Sequence, residues 1–448
     1  MSSEEVEVGD RGPWLGGPLD VDGLAVGAVG SALVAAADLA EARGLGRPAL
    51  SLSAEHVAVS FTSERHALRG GEPSGAGFAP LSRMVRCRDG WARTHANYPH
   101  HEAALRRALR IEGGSAELEA AARSLAAVEL ETAVVEAGGC AAALRTESEW
   151  AEHPAGAAVL NGGHVRGVVP ALAALATPGG VESGVVRRQP EQLRTRGGAS
   201  ASRPAAGVRV LDLTRVIAGP VAGRTLAALG AELLRVDPPG LSELPEAHLD
   251  TGPGKRSALL DLADAGRREP LLAGADVLLT GYRPGSLGRF GLVERHPHLV
   301  HVSLSAWGHE GPWAGRRGFD SLVQVASGIA AACAAADGTP GVLPAQALDH
   351  GTGYLMAAAV LRGLAARERG DPVPAARLSL ARTAAELLAR PRRDEGARPA
   401  DPDRFRVAFG DVELIAPPGA LDGVPLAWAH GPRPFGGDEA AWPPRGDD

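Results

Sequence analysis

An acid and a histidine stand together in ALDHGTGYLMAAAVL (347–361), where a glycine-containing turn opens into an apolar helix. Asp349 can serve there as a helix cap, its oxygen accepting a first-turn N–H. It can equally serve as a covalent nucleophile, with the backbone N–H groups at Gly351 to Gly353 placed for an oxyanion. The residues alone leave the two readings evenly open.

Three more segments carry groups suited to a long anionic nucleotide such as coenzyme A. TRVIAGP (214–220) joins a predicted strand to a helix, whose first N–H groups can hold phosphate or pantetheine oxygens. TGPGKRSALLDL (251–262) sets Lys255 and Arg256 after a Gly-Pro-Gly turn, where two cations can meet polyphosphate. Lys255 is the only lysine among 46 lysines and arginines, so composition alone gives little reason for it. TGYRPGSLGRFGL (280–292) supplies Gly281 in the turn, Tyr282 for stacking, and Arg283 and Arg289 as further cations. Singly, each reads as a turn or a solvated surface; their common place at predicted strand ends makes them a set.

Other chemistries lack their residues. No G-x-G-x-x-G follows the first strand, no G-x-S-x-G or H-E-x-x-H occurs, and GPGKRS lacks the first glycine of a phosphate loop. His95, His100 and His101 have no carboxylate or cysteine at ligand spacing, so we expect no metal site and read them as a polar loop beside Tyr98.

The elements that must position these groups are strands and helices in alternation. GVRVLDL, AELLRVD, ADVLLTGY and HLVHVSLSAW read as strands, which implies an α/β fold with a doubly wound, parallel, Rossmann-like sheet. Ligands in such sheets bind beyond the strands' carboxyl ends. A second, smaller α+β domain is expected over 23–175, after a loose tail at 1–22. Residues 176–206, rich in Gly, Ser, Pro and Arg, read as a linker; 207–390 is the catalytic domain and 391–448 a C-terminal tail. An internal repeat links 31–61 with 357–388, each a helix ending in Ala-Arg and Gly, then a Leu-Ser-Leu strand and a helix.

A net charge of −7 without a long basic run argues against nucleic-acid partners. The acidic start MSSEEVEVGDRG resembles neither a signal nor a transit peptide, and the longest apolar run, near Leu355–Leu361, is too short for a bilayer. Three cysteines without paired spacing fit a reducing, cytoplasmic home with no membrane partner.

Residues 207–385 resemble the catalytic core of class III (CaiB/BaiF-type) CoA-transferases. The resemblance rests on GVRVLDLTRVIAGPVAGRTLAALGAELLRVDPPG, GKRSALLDL, ADVLLTGYRPGSLGRFGL, SLSAWGHEGPWAGRRGFDSLVQVASG and ALDHGTGYLMAAAVLRGLAAR. The stretch from FAPLSRMVRCRDGW to EAGGCAAALRTESEWAEHP is similar to the family's second domain, so the order here looks permuted or fused. The resemblance implies that Asp349 attacks an acyl-CoA thioester, and that Val216, Ile217, Ala218, Lys255, Tyr282 and Arg289 contact coenzyme A. It implies acyl-CoA and small carboxylic acids as substrates, no permanently bound cofactor, and a homodimer or an intramolecular pseudo-dimer. Phe319 stands where racemases of the family carry a histidine, which disfavours α-proton exchange. The alternatives are a CoA-binding protein without turnover, or a racemase or epimerase using Asp349 as base.

Overall fold

The computed structural model describes residues 5–75, 77–162, 200–373, 375–393 and 396–444. Its centre is a six-stranded sheet of runs rich in Val, Leu and Ala: β1 (Arg209–Leu213), β2 (Glu232–Asp237), β3 (Lys255–Leu259), β4 (Val277–Thr280), β5 (Val300–Ser305) and β6 (Ala376–Ser379). Every neighbouring pair is parallel, and the lateral order is β3-β2-β1-β4-β5-β6. The order reverses between β1 and β4, which opens a crevice at their carboxyl ends. Sequence reading had found four of these strands and the Leu-Ser-Leu strand, but not β3.

Both faces of the sheet are covered, as parallel sheets require. Val210, Leu233, Val277 and Val302 point to a core shared with α1 (Val21–Ala42), α3 (Ala218–Ala228) and α5 (Ala347–Arg369). Leu211, Leu234, Val236 and Leu278 alternate to the other face, where Leu271 and Leu272 of the helix Ala265–Gly274 meet them. The remaining helices needed below are α2 (Ala54–Ser60), α4 (Asp320–Ala326) and α6 (Leu380–Leu388).

The repeat is present as two copies of one unit, α1–strand (Leu50–Ser53)–α2 and α5–β6–α6. Ser53 and Ser379 play the same part, each accepting an N–H at the start of its helix, from His56 and Arg382. The two long helices of the copies, α1 and α5, pack along each other.

This packing corrects the expected boundaries. Residues 21–60 join the core of the large body, as do Trp150, Ala155 and Val159, so only about 81–143 forms a smaller body with a core of its own. There Met84–Arg86, Trp91–Thr94 and Ala141–Ala143 make an antiparallel sheet under three helices, Pro99–Leu109, Ser115–Ser124 and Ala127–Glu136. Its core is separate, built on Val85, Ala92, Leu118, Leu130 and Val134. Helix α1 also overturns the reading that no apolar stretch is long enough for a bilayer: by length and composition it qualifies, although most of it is buried against the core.

The terminal segments are structured where described, contrary to the expected tails. Val6–Gly9 pairs with Leu50–Ser53, and Asp22 accepts the N–H groups of Trp14, Leu15 and Gly16. Val412–Ile415 pairs with Leu68–Arg69, and Ala420–Leu421 with Leu50–Ser51. Strands of two to four residues whose partners lie from 44 to some 370 positions away leave no local pattern. Most of the expected linker, 176–199, lies outside the described residues; Ala205 and Ala206 are buried against the end of α3.

Candidate active site

Asp349 is the third residue of α5, and neither expected role for its surroundings holds. The helix starts at Ala347 with Gln346 at its cap, so Asp349 is not the N-cap. Gly351 and Gly353 lie inside the helix, where each N–H is bonded to the carbonyl four residues earlier, so they offer no oxyanion donors.

The first-turn donors go elsewhere. Asp320, opening α4, accepts the N–H of Leu348 at 2.8 Å and of Asp349 at 2.9 Å with one carboxylate oxygen. Its other oxygen accepts the Gln324 amide, whose own oxygen takes the N–H of Leu343 at 2.9 Å. Asp320 therefore caps α5 from outside. A lone acid 29 positions upstream carries no capping signature, which is why sequence reading passed over it.

Gly353 sits one turn beyond Asp349 on the same face. A Cβ there would lie 2.5 Å from the carbonyl oxygen of Ala218 and 2.8 Å from Val221. The glycine lets α5 and α3 touch, which brings the nucleophile helix against the predicted turn 216–218. We expect Gly353→Val to destabilise the fold by about 3 kcal/mol, read by urea denaturation. Gly351→Ala meets only ordinary contacts at 3.6 Å and should be neutral or mildly stabilising.

The side chain of Asp349 is buried and has no hydrogen bond among the described residues. Burial, then Asp320, then Glu64 push its carboxyl well above the usual carboxylate range. Asp320 is pushed up to about 6, by burial first, despite the backbone N–H groups it accepts. Glu64 comes from the short turn after α2, and its carboxylate lies 3.3 Å from Nε2 of the fully buried His350. Phe61 stacks on the same imidazole with ring centroids 5.4 Å apart. The turn that follows the N-terminal repeat copy thus contributes a charge to the site from 285 residues away, beyond the reach of any motif.

The predicted nucleotide contacts divide into two groups. Gly281 follows β4 and Thr214 follows β1, adjacent because Thr280 and Leu213 are paired; a Cβ on Gly281 would sit 3.3 Å from Thr214. Ile217 and Tyr282 are half-buried beside this edge, and Arg283 and Arg289 are exposed there. These residues, with Ala218, share the carboxyl edge of the sheet.

Val216, Lys255 and Arg256 depart from expectation. Val216 holds the left-handed backbone region at φ +71°, a costly state for a β-branched residue, and its N–H donates to Glu243 at 2.9 Å. The donor expected for a phosphate is thus already used. Glu243 also accepts the Tyr98 hydroxyl at 2.6 Å and Arg235 at 2.8 Å. Burial alone would raise Glu243, but Arg235 and Arg215 bring it down to about 2. Lys255 begins β3 but turns inward: its ammonium lies 3.2 Å from Asp212 and 2.7 Å from the Pro220 carbonyl, with only 2% of the residue exposed. Arg256 donates to the carbonyls of Ala441 at 2.7 Å and Glu439 at 3.1 Å, because the C-terminal segment covers it.

His95, His100 and His101 cluster beside Tyr98, as read; His95 lies in the loop after the strand Trp91–Thr94, whereas His100 and His101 open the helix Pro99–Leu109. His95 stacks on Phe319 at 3.6 Å. Burial first, then neighbouring cations and imidazoles, hold His95 and His101 down to about 3, so both are neutral near pH 7.

Comparison with known proteins points the same way as the motifs. Residues 205–404 match the model of CoA-transferase family III. Over 189 residues the chain is 35% identical to the probable fatty acyl-CoA transferase Rv3272 of Mycobacterium tuberculosis, which covers 38% of this chain and 48% of that protein. It is 32% identical over 193 residues to a formyl-CoA:oxalate CoA-transferase of Rhodopseudomonas palustris (38% and 45% covered). A succinyl-CoA:glutarate CoA-transferase of Mus musculus matches at 32% over 197 residues (39% and 45%). The crystal structure of Rv3272 aligns with 42% of this chain and 56% of its own, at TM-score 0.39 and 34% identity. The chain spans about half the length of the curated relatives it matches.

Proposed function

We propose, from the match of residues 205–404 to CoA-transferase family III, that this protein moves coenzyme A from an acyl-CoA to a free carboxylic acid, with Asp349 as nucleophile. The observation that carries the reading is the state of Asp349: a buried carboxylate with no hydrogen bond, beside the acids Asp320 and Glu64. A carboxylate held at such a cost gains stability when it becomes a neutral acyl derivative.

The steps balance without an external proton. A carboxylate oxygen of Asp349 attacks the thioester carbonyl, the C–S bond breaks, and CoA leaves as thiolate. The thiolate then attacks the aspartyl carbonyl of the mixed anhydride and expels the donor acid as carboxylate. The acceptor carboxylate attacks the aspartyl thioester and frees the thiolate again. Thiolate attack on the acyl carbonyl of the second anhydride releases the new acyl-CoA and restores Asp349. Splitting one exchange into such steps is nucleophilic catalysis.

Ile217, Ala218, Gly281, Tyr282, Arg283 and Arg289 are the residues we assign to coenzyme A at the sheet edge, the two arginines as phosphate partners. An intramolecular pseudo-dimer suits the packing of the two repeat copies, α1 against α5. The three cysteines are free, which suits a cytoplasmic home. Incubation with a panel of acyl-CoA donors, followed by hydroxylamine, tests the reading: the hydroxamate should map to Asp349. Tight CoA binding with no adduct and no exchange would instead identify a binding protein. Solvent deuterium entering the α-carbon without CoA exchange would identify an epimerase.

A further inference from the structure

Among the described residues, other buried arginines are paired with acids: Arg145 with Glu131, Arg224 with Asp250, and Arg235 with Asp237 and Glu243. Arg93 is different. It lies on the strand Trp91–Thr94 of the smaller body with 6% of its surface exposed. Its guanidinium rests over the ring of Phe78 at 4.7 Å, and its Nε has no hydrogen-bond partner. Among the described residues it makes no ion pair with any carboxylate.

The alternation of the strand decides where this cation points. Ala92 enters the core of the smaller body, so Arg93 and His95 share the opposite face. That face meets α4, since the strand packs on it and His95 stacks against Phe319. The next residue is Asp320, the acid that holds the first turn of the nucleophile helix; burial disfavours the charge on Arg93, and the attraction of Asp320 offsets this only in part. Hydrogen-bonding capacity is unspent throughout this patch. Nδ1 of His95 and both ring nitrogens of His101 are buried without partners, and the two rings lie 6.3 Å apart. Burying a cation without an anion is costly, and groups left so in a folded protein call for a ligand.

We propose that Arg93, with His95 and His101, receives the carboxylate of the free acid that takes CoA from Asp349. The proposal rests on the transfer reading above. An arginine fork suits a carboxylate because two N–H groups meet two oxygens. Its place beside Asp320, the acid that caps the nucleophile helix, favours the acid over a CoA phosphate.

The test uses the full chain as wild type, Arg93→Met and Arg93→Lys. Asp349 is loaded with acyl-CoA, the adduct is followed by mass spectrometry, and discharge is measured against succinate, glutarate and oxalate. Arg93→Met should raise the KM for the free acid at least about tenfold, the loss of one charge-assisted contact, with loading much less affected. Arg93→Lys should recover part of it. Arg93→Met should also melt no lower than wild type, because an unpaired buried charge is gone. In parallel, the three acids are titrated into unloaded protein by calorimetry, where Arg93→Met should bind them more weakly. Equal affinity in wild type and variant, no binding to wild type, or loading and discharge falling together would each overturn the assignment. Arg93-dependent acid binding in a wild type that forms no adduct would sustain the carboxylate site and defeat the transfer reading.

Discussion

Asp349→Asn is expected to abolish CoA exchange and, at the same time, to raise the melting temperature at neutral pH. The loss of exchange should be at least about 10⁴-fold, as for removal of a covalent nucleophile. Binding of coenzyme A should stay near the wild-type level, because the residues assigned to it lie at the sheet edge. The gain in stability follows from the environment of the carboxylate. Burial and the nearby Asp320 and Glu64 raise its folded-state pKa above the unfolded value. The folded protein then binds the proton more readily than the unfolded chain between those two values. Stability contributed by this group is intact below the unfolded value and lost as pH rises through the folded one. At neutral pH, above the unfolded value, wild type carries a cost that asparagine, of the same shape and uncharged, does not. Calorimetry at pH 7.5 and again near pH 4.5 should show the advantage of the variant shrinking with acid. A variant less stable than wild type at pH 7.5, or one that still turns over, would remove Asp349 from the role given to it.

The parts of this molecule that were readable in the sequence are those with a local pattern. β1, β2, β4 and β5 are runs buried on both faces, and they stand out as continuous apolar segments between helices. β3 did not, because KRSAL opens with two charges, one of which turns under the sheet. Helix α1 was seen as a helix but placed in the wrong body. An alanine-rich helix without a polar face says that it is buried and nothing about which core buries it. The carboxylate at 349 was readable and its controllers were not: Asp320 and Glu64 are single acids whose meaning comes only from what the fold sets against them. Arg93 and His95 lie between these cases. Their alternation with Ala92 and Thr94 in WARTH marks a strand with one polar face, a signal sufficient to ask what that face meets.

Lys255→Met separates the reading of the lone lysine made from the motif from the one made from its geometry. As a contact for polyphosphate, Lys255 would leave the fold intact when replaced and weaken CoA binding. The geometry predicts the reverse. Its ammonium pairs with Asp212, which has no exposure and also accepts the N–H of Thr214 at 2.9 Å and its hydroxyl at 2.5 Å. Taking the cation away strands a buried carboxylate, at a cost of about 3–5 kcal/mol. Asp212→Asn in the same chain should restore most of that loss. Lysine is also the cation that fits. A Cβ on Gly223 would come within 2.7 Å of the ammonium, and the broader guanidinium that every other basic position uses has no such space under α3. Burial, ahead of the attraction of Asp212, holds the lysine down to about 8. The folded state therefore holds fewer protons there than the unfolded chain, so stability from this group increases as pH rises from about 8 towards the unfolded value. Denaturation midpoints of wild type, Lys255→Met and the double variant, beside CoA affinities measured on folded protein, decide the matter. A Lys255→Met protein as stable as wild type but unable to bind coenzyme A would return the lysine to the ligand.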